Sequence, residues 1–261
     1  MKLICLNIWG GCAGAEKLLA FLDTHRDVDF ICLQEVWSAP YENLEGAPAG
    51  ADEIAHAEIM VFAKQEIGAL LGGHEVFFHP NHLNDYGLMT LVSKTLDVVE
   101  AGDVFVHRER GYVPQGNLGL HARNLQFVKV NGPSGPLSVL NFHGLWNGLG
   151  KGDSDERIAQ SRRILDFLDG RREPLVLCGD FNLLPGAESL RMLESAGLRN
   201  LVAEFGVTST RTRFYARLEP FADYVLVSDG IDVRDFRVLP DEVSDHAPLL
   251  LEFEMNGLGL R

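Results

Sequence analysis

The chain has 261 residues and a formal charge of −14 at pH 7, with 37 acidic against 23 basic residues. That balance argues against non-specific duplex binding, which needs a general excess of Lys and Arg over the phosphates. Hydrophobic residues at 46 % and charged residues at 23 % describe a globular chain rather than a disordered one. No run approaches the ~18 apolar residues of a membrane span, and the apolar part of "MKLICLNIWGG" is too short for a signal sequence. A soluble, cytoplasmic protein is therefore expected. Cys5, Cys12, Cys32 and Cys178 form no C-x-x-C pair and are expected as reduced thiols, mostly in the core.

In chain order, short apolar runs predict strands over 2–8, 28–33, 75–79, 88–93, 98–104, 124–130, 137–143, 175–178, 222–227, 233–239 and 249–253. Helical periodicity covers 16–25, 54–71, 155–168 and 188–196. In 155–168 the stripe is Ile158, Ile164, Leu165 and Leu168, with Arg157, Arg162, Arg163 and Asp166 off it. Ser154 is placed to cap that helix, with Asp155 and Glu156 in its first turn. The first two strands flank a helix, the middle of the chain is strands alone, and helices return at 155 and 188. This order predicts an α/β (α+β) four-layer sandwich, two packed and mostly antiparallel sheets with outer helices, as one domain over 1–261. Loops 39–52, 109–119 and 145–154 are long enough to serve as lids or binding loops.

Several tempting motifs fail. "NGLGKGD" has Leu145 and Gly152 where a phosphate loop needs Gly and Ser/Thr. "DSDER" lacks the third acid and the glycine of a calcium loop, and there is no G-x-S-x-G or H-E-x-x-H. Ser244-Asp245-His246 are consecutive, and neighbours on an extended segment point opposite ways, so they do not form a hydrolase triad. Two arginine-dense stretches, Arg211, Arg213 and Arg217 and then Arg108 and Arg110, are either local anion contacts or solvated loop charges.

Polar clusters do collect at the ends of the apolar runs: Asn7, Gln34-Glu35, Asn141 with His143, Asp180 with Asn182, Asp223, and Asp245-His246. Strand ends are where ligands gather in α/β folds. Each cluster alone reads as a turn or cap; all of them together, in this order, do not. "QE", "N-x-H", "GDFN", "DY" and "SDH" along residues 7–248 resemble the endonuclease/exonuclease/phosphatase superfamily, which includes deoxyribonuclease I.

The resemblance implies the four-layer sandwich and a Mg²⁺-dependent phosphoesterase, with Mn²⁺ as the substitute. It implies Glu35 as the leading metal ligand with Asn7 and Asp245 beside it, and oxygen donors of this kind suit Mg²⁺. It implies Asp180 as the residue that positions and deprotonates the attacking water, and Asn182 as a holder of the phosphate or attacking oxygen. His246 would hydrogen-bond a phosphoryl oxygen, Asp223 would orient and charge it, and His143 would contact the phosphate from the opposite side. Arg123, Asn141, Tyr86 and Trp146 are candidate substrate contacts, and Trp37 and Trp146 either stack on substrate or pack. Asp245 and His246 are expected to project to different sides, one toward the metal's water shell and one toward the phosphate. Trp9 stands where several nucleases of the superfamily carry an acid two residues after the first Asn, which weakens the case for a second metal. Phosphodiester hydrolysis ranks first, on a nucleic-acid end, a lipid headgroup or a small diester. Phosphomonoester hydrolysis ranks second, a non-catalytic binding module is the rival, and a monomer is expected.

Overall fold

A computed structural model of the chain describes all residues except 43, 50, 51, 54, 133 and 257–261. Parts of the loop 39–52 and the start of the helix expected from 54 thus lie outside the described residues. The elements run β1 (Lys2–Asn7), α1 (Ala15–Thr24), β2 (Phe30–Trp37), a short hairpin of β3 (Pro48–Ala49) and β4 (Asp52–Glu53), α2 (Ala63–Leu70), β5 (His74–His82), β6 (Tyr86–Ser93), β7 (Asp97–His107), β8 (Arg123–Gly132) and β9 (Gly135–His143). They continue with α3 (Asp155–Leu168), β10 (Leu175–Asp180), α4 (Glu188–Ser195), β11 (Arg199–Asn200), α5 (Leu201–Glu204), β12 (Asp223–Val227), β13 (Ile231–Val238) and β14 (Leu249–Met255).

Two six-stranded sheets follow from this order, β13-β14-β1-β2-β6-β5 and β11-β12-β10-β9-β8-β7. Each has one parallel pair at its centre, β1 with β2 and β10 with β9, and antiparallel neighbours elsewhere. Side-chain alternation sets the layers. Leu3, Cys5, Phe30 and Cys32 join Val139 and Cys178 in the core that also takes Ile164 of α3 and Leu190 of α4. Ile4, Leu6, Ile31 and Leu33 join Leu18 and Leu22 of α1 and Ile67 of α2 in a second core. Helices therefore cover the outer faces of both sheets, and each fully buried Leu or Ile contributes about 1.5–3 kcal/mol.

The predicted helix over 54–71 is shorter, because the Met60 N–H donates to the Gly10 carbonyl at 2.8 Å and does not serve a continuous helical ladder. The strand expected to stop at Leu33 runs on to Trp37 through an irregular register between Leu33 and Val36. α3 has the predicted bounds and Ser154 accepts from the Arg157 N–H. Arg157 itself, expected on the polar side, is buried. Its guanidinium donates to the carbonyls of Leu145, Gly150 and Gly152, so it ties down the loop 145–154. Guanidinium is the side chain with enough donors to serve several loop carbonyls at once. Among the described residues, no helix is long and apolar enough to cross a membrane.

Candidate active site

The site forms where the central parallel strands end. On β10, Asp180 is in register with His143 of β9 on one side and with Asp223 of β12 on the other. Gly179 before it has φ 147°, and a Cβ there would collide with the Phe142 carbonyl. The glycine of "GDFN" is thus required for the close approach of β9 and β10. Asn182 follows at φ 54°, in the left-handed region that Asn tolerates. Its N–H donates to Asp180 Oδ1 at 2.9 Å, and its Nδ2 donates to the Gly144 carbonyl at 3.3 Å.

In the other sheet Glu35 lies on the irregular stretch of β2 at φ 60°. A non-glycine residue held there is strained, and the kink is what turns Glu35 out of the alternation. Glu35 Oε1 and Asp180 Oδ2 lie 3.8 and 3.6 Å from His143 Nε2. Asn7, at the end of β1, donates from Nδ2 to Glu35 Oε1 at 2.9 Å and to Asp180 Oδ2 at 3.1 Å, while its Oδ1 accepts the Trp9 N–H at 2.9 Å. The amide oxygen expected to ligate a metal is therefore turned to the backbone. Asn7 holds the two carboxylates together instead.

His246 completes the cluster. Its Nδ1 donates to both oxygens of Asp223, at 2.8 and 2.9 Å, and its Nε2 lies 3.6 Å from Asp180 Oδ2. Asp223 also accepts from Thr210 Oγ1 at 2.9 Å. The expectation that Asp245 and His246 project apart fails. Residues 243–245 bend rather than extend, so strand alternation does not apply. Asp245 Oδ1 and His246 Nε2 are 3.7 Å apart and both side chains line one cavity.

That cavity has a volume of about 350 Å³ and is walled by Glu35, Asp180, Asn182, His143, Arg123, Tyr86, Trp37 and Trp146 among others. Trp37 both lines it and packs, with its ring 4.4 Å from Tyr41 and 4.9 Å from Tyr86. Arg123 is buried, donates to the Gly119 carbonyl at 3.1 Å, and has no hydrogen-bond partner at Nε or Nη1 among the described residues. Asn141 is a correction. It is wholly buried between the sheets, accepts from Gln34 Nε2 at 2.7 Å, and donates to the Leu33 carbonyl at 3.0 Å. With both amide groups engaged in the sandwich interior, it makes no contact with the cavity. Gln34 of the "QE" pair belongs to the same interior network.

Five further side chains reach the site from positions the sequence motifs do not mark as functional. Lys151, inside the rejected "NGLGKGD" motif, is buried against the cavity. Arg211 pairs with Asp245 at 3.0 Å, and Arg217 lies over the Trp146 ring at 4.8 Å. His82 and His121 stack at 5.0 Å on the cavity wall. No pattern in the sequence marks those histidines. The arginines stood in "RTRFYAR", where the exposed Arg213, paired with Glu242, looks the same.

Burial and charge set the protonation states. Burial pushes the Glu35 carboxyl up, only partly offset by the Asn7 hydrogen bond and by His246. Burial also works to raise Asp180, but His246 first, and then Lys151 and Arg211, overcome it and hold it ionised, well below the usual carboxylate range. For His246, burial and Arg211 oppose the charged form; Asp223, Asp245 and Asp180 outweigh them and raise it. His143 is driven well down by burial and then by Arg123, so it is a neutral imidazole. Neighbouring carboxylates and imidazoles pushed in opposite directions mark a site built for acid–base work.

Glu35, His143 and Asp180 offer ligand atoms that all lie within 4.8 Å of one another. The two carboxylates, Glu35 and Asp180, suit a hard divalent cation of the implied kind, with His143 standing beside them. The similar grouping of Asp180, Asp223 and His246 is accounted for by the Asp223–His246 hydrogen bonds.

No curated protein matches this chain. Among solved structures, a mannosyl-6-phosphatase of Bacteroides thetaiotaomicron VPI-5482 superposes with TM-score 0.74 at 15 % identity, covering 98 % of this chain and 100 % of that one. Humanized D. rerio TDP2 superposes at 0.68 and 15 % identity over 98 % and 99 % of the two chains. The human Nocturnin catalytic domain with a bound sulfate anion superposes at 0.62 and 17 % identity over 98 % and 94 %. These likenesses establish a shared sandwich fold. The model of the Endonuclease/Exonuclease/phosphatase family matches residues 4–246, and with Glu35, His143, Asp180, Asn182 and His246 gathered where the central strands of both sheets end, the chain belongs to that family of phosphoester hydrolases.

Proposed function

We propose that the protein is a divalent-metal-dependent phosphoesterase that hydrolyses a small or chain-terminal phosphoester by in-line attack of water. The observation that carries the reading is the convergence of ionised Asp180, neutral His143 and Asp223-charged His246 around Glu35. Asp180, steadied by the Asn182 N–H and by Asn7, is the acceptor for the proton of the attacking water. The new O–P bond forms as the bond from phosphorus to the leaving oxygen breaks. His246 donates from Nε2 to a non-bridging oxygen, because Asp223 occupies Nδ1. Arg123 brings two unfilled N–H donors to the same phosphoryl group, the kind of fixed charge that stabilises a transition state without reorganisation. Glu35, flanked by Asp180 and His143, would hold Mg²⁺ or Mn²⁺, which when bound offsets phosphoryl charge and acidifies water.

The cavity of about 350 Å³ is of small-ligand size, which favours a small ester or the end of a chain over the interior of a duplex. The charge of −14 points the same way. A diester, ranked first from sequence, and a monoester share this chemistry and differ by one negative charge on the phosphoryl group. Hydrolysis of bis-p-nitrophenyl phosphate and p-nitrophenyl phosphate with Mg²⁺, Mn²⁺ or EDTA tests the proposal. Metal-dependent turnover of at least one ester is expected. Folded protein that turns over neither with any metal would count against the proposal and favour the binding-module alternative.

A further inference from the structure

Two cations face the cavity whose only part in the chemistry above is the field they exert on Asp180. Lys151 is 2 % exposed, and its Nζ has no hydrogen-bond partner among the described residues. Its contact is the face of Tyr215, 5.2 Å from the ring centroid, and the Arg211 guanidinium lies 3.9 Å from the same centroid. Arg211 spends Nη1 on Asp245, yet its buried Nε is also without a hydrogen-bond partner. One aromatic ring thus gathers two positive charges, each with an unfilled donor, on the wall of the catalytic cavity.

The local carboxylates do not account for this. Asp223 is matched by His246 and Asp245 by Arg211. Asp180 lies closer than 4 Å to His143 and to His246, and no comparable pair reaches Lys151. Nor is Lys151 there by looseness of its loop. Arg157 holds the carbonyls of Gly150 and Gly152 on either side, and the Lys151 carbonyl accepts the Leu184 N–H at 2.9 Å. Burial lowers the ammonium to about 8, which leaves it charged at neutral pH. Asp180, Asp223 and Asp245 favour its charge through space, but none supplies a hydrogen bond, and a buried ammonium with unfilled donors remains costly; an anionic ligand that fills them removes that cost.

We propose that Lys151 is a specificity-determining residue that, with Arg211, receives the additional negative charge and third non-bridging oxygen of a terminal phosphomonoester, so that the site selects a dianionic phosphoryl group over a diester. The inference rests on the phosphoesterase reading and adds the substrate class to it.

The test compares wild type with Lys151→Met, an apolar side chain of similar length, and Lys151→Arg, which keeps the charge. The readout is the ratio of kcat/KM for p-nitrophenyl phosphate over bis-p-nitrophenyl phosphate with Mn²⁺. A hydrogen bond to a charged group is worth about 1.5–3 kcal/mol, so the ratio falls by about tenfold or more in Lys151→Met and recovers in Lys151→Arg. A fall of both substrates in parallel, with a lowered Tm, makes Lys151 a structural charge and overturns the inference. Calorimetric binding of inorganic phosphate reads the same group without turnover and is expected to weaken by about tenfold in Lys151→Met. If wild type hydrolyses neither ester, the phosphoesterase reading fails, and phosphate binding alone decides for or against Lys151: equal affinity in both proteins overturns it.

Discussion

Replacing Asp223 by Asn tests the acid–base arrangement most directly. Asp223 and His246 are 2 % and 4 % exposed, and Nδ1 sits 2.8 and 2.9 Å from the two carboxylate oxygens. Asn keeps the size, loses the charge, and offers one acceptor oxygen to a ring N–H that had two. Thr210 Oγ1, now donating to Asp223 Oδ2 at 2.9 Å, competes for that oxygen. The charge-assisted bond is worth about 1.5–3 kcal/mol. At about 1.4 kcal/mol per factor of ten, its loss from the transition state lowers kcat by about 10- to 150-fold. The pH dependence has a defined sign. The folded-state pKa of His246 is raised over that of free imidazole, against burial and Arg211, by Asp223, Asp245 and Asp180. A raised pKa contributes stability that is fully present below the unfolded value of about 6.5 and is lost as pH rises through the folded one. Asp223→Asn therefore costs more stability near pH 6 than near pH 9. Chemical denaturation at the two pH values, with steady-state kinetics on either nitrophenyl ester, measures both effects. A pH-independent stability loss together with a kcat within threefold of wild type would refute the role assigned to the pair.

Glu35→Gln is expected to raise the Mn²⁺ concentration for half-maximal activity by about tenfold or more, since a charged oxygen donor is lost; an unchanged requirement removes Glu35 as the main ligand. Because burial pushes Glu35 up, protons compete with the metal at higher pH than they would for an ordinary carboxylate, so metal affinity measured by titration falls as pH drops. Asn141→Leu removes the bonds to Gln34 Nε2 and the Leu33 carbonyl and sets an apolar side chain among buried polar groups, costing about 1–3 kcal/mol. Thermal denaturation shows the loss while KM stays near wild type, and a raised KM at unchanged Tm would return Asn141 to the substrate. Arg157→Met frees the carbonyls of Leu145, Gly150 and Gly152 and costs about 2–4 kcal/mol, a Tm drop of roughly 2–4 °C per kcal/mol at this size. Faster proteolysis within 145–154 accompanies it if Arg157 is what orders that loop.

The sequence was most informative where chemistry and period agree. Short apolar runs located the long strands, though not the far ends of β2, β5 and β7 or the short β3, β4 and β11, and Ser154 with two following acids placed the start of α3. "GDFN" is legible because the turn demands its glycine and the chemistry its acid. Arg157 was misread because helical period ranks a residue by polarity, and a guanidinium buried under loop carbonyls breaks that ranking. Asn141 was misread because a polar residue near a strand end looks the same whether it faces a cavity or the opposite sheet.

By itself the sequence determined the layered architecture and the family and singled out Glu35, His143, Asp180, Asn182, Asp223 and His246 as candidates, because periodicity and short motifs are local properties of the chain. Only the tertiary structure decided that Asn7 braces carboxylates, that Asp245 answers to Arg211, and that Lys151 and Arg211 meet on Tyr215. Those outcomes depend on which loops are brought together over a sheet edge, and residues 60 positions apart carry no local signal of being neighbours.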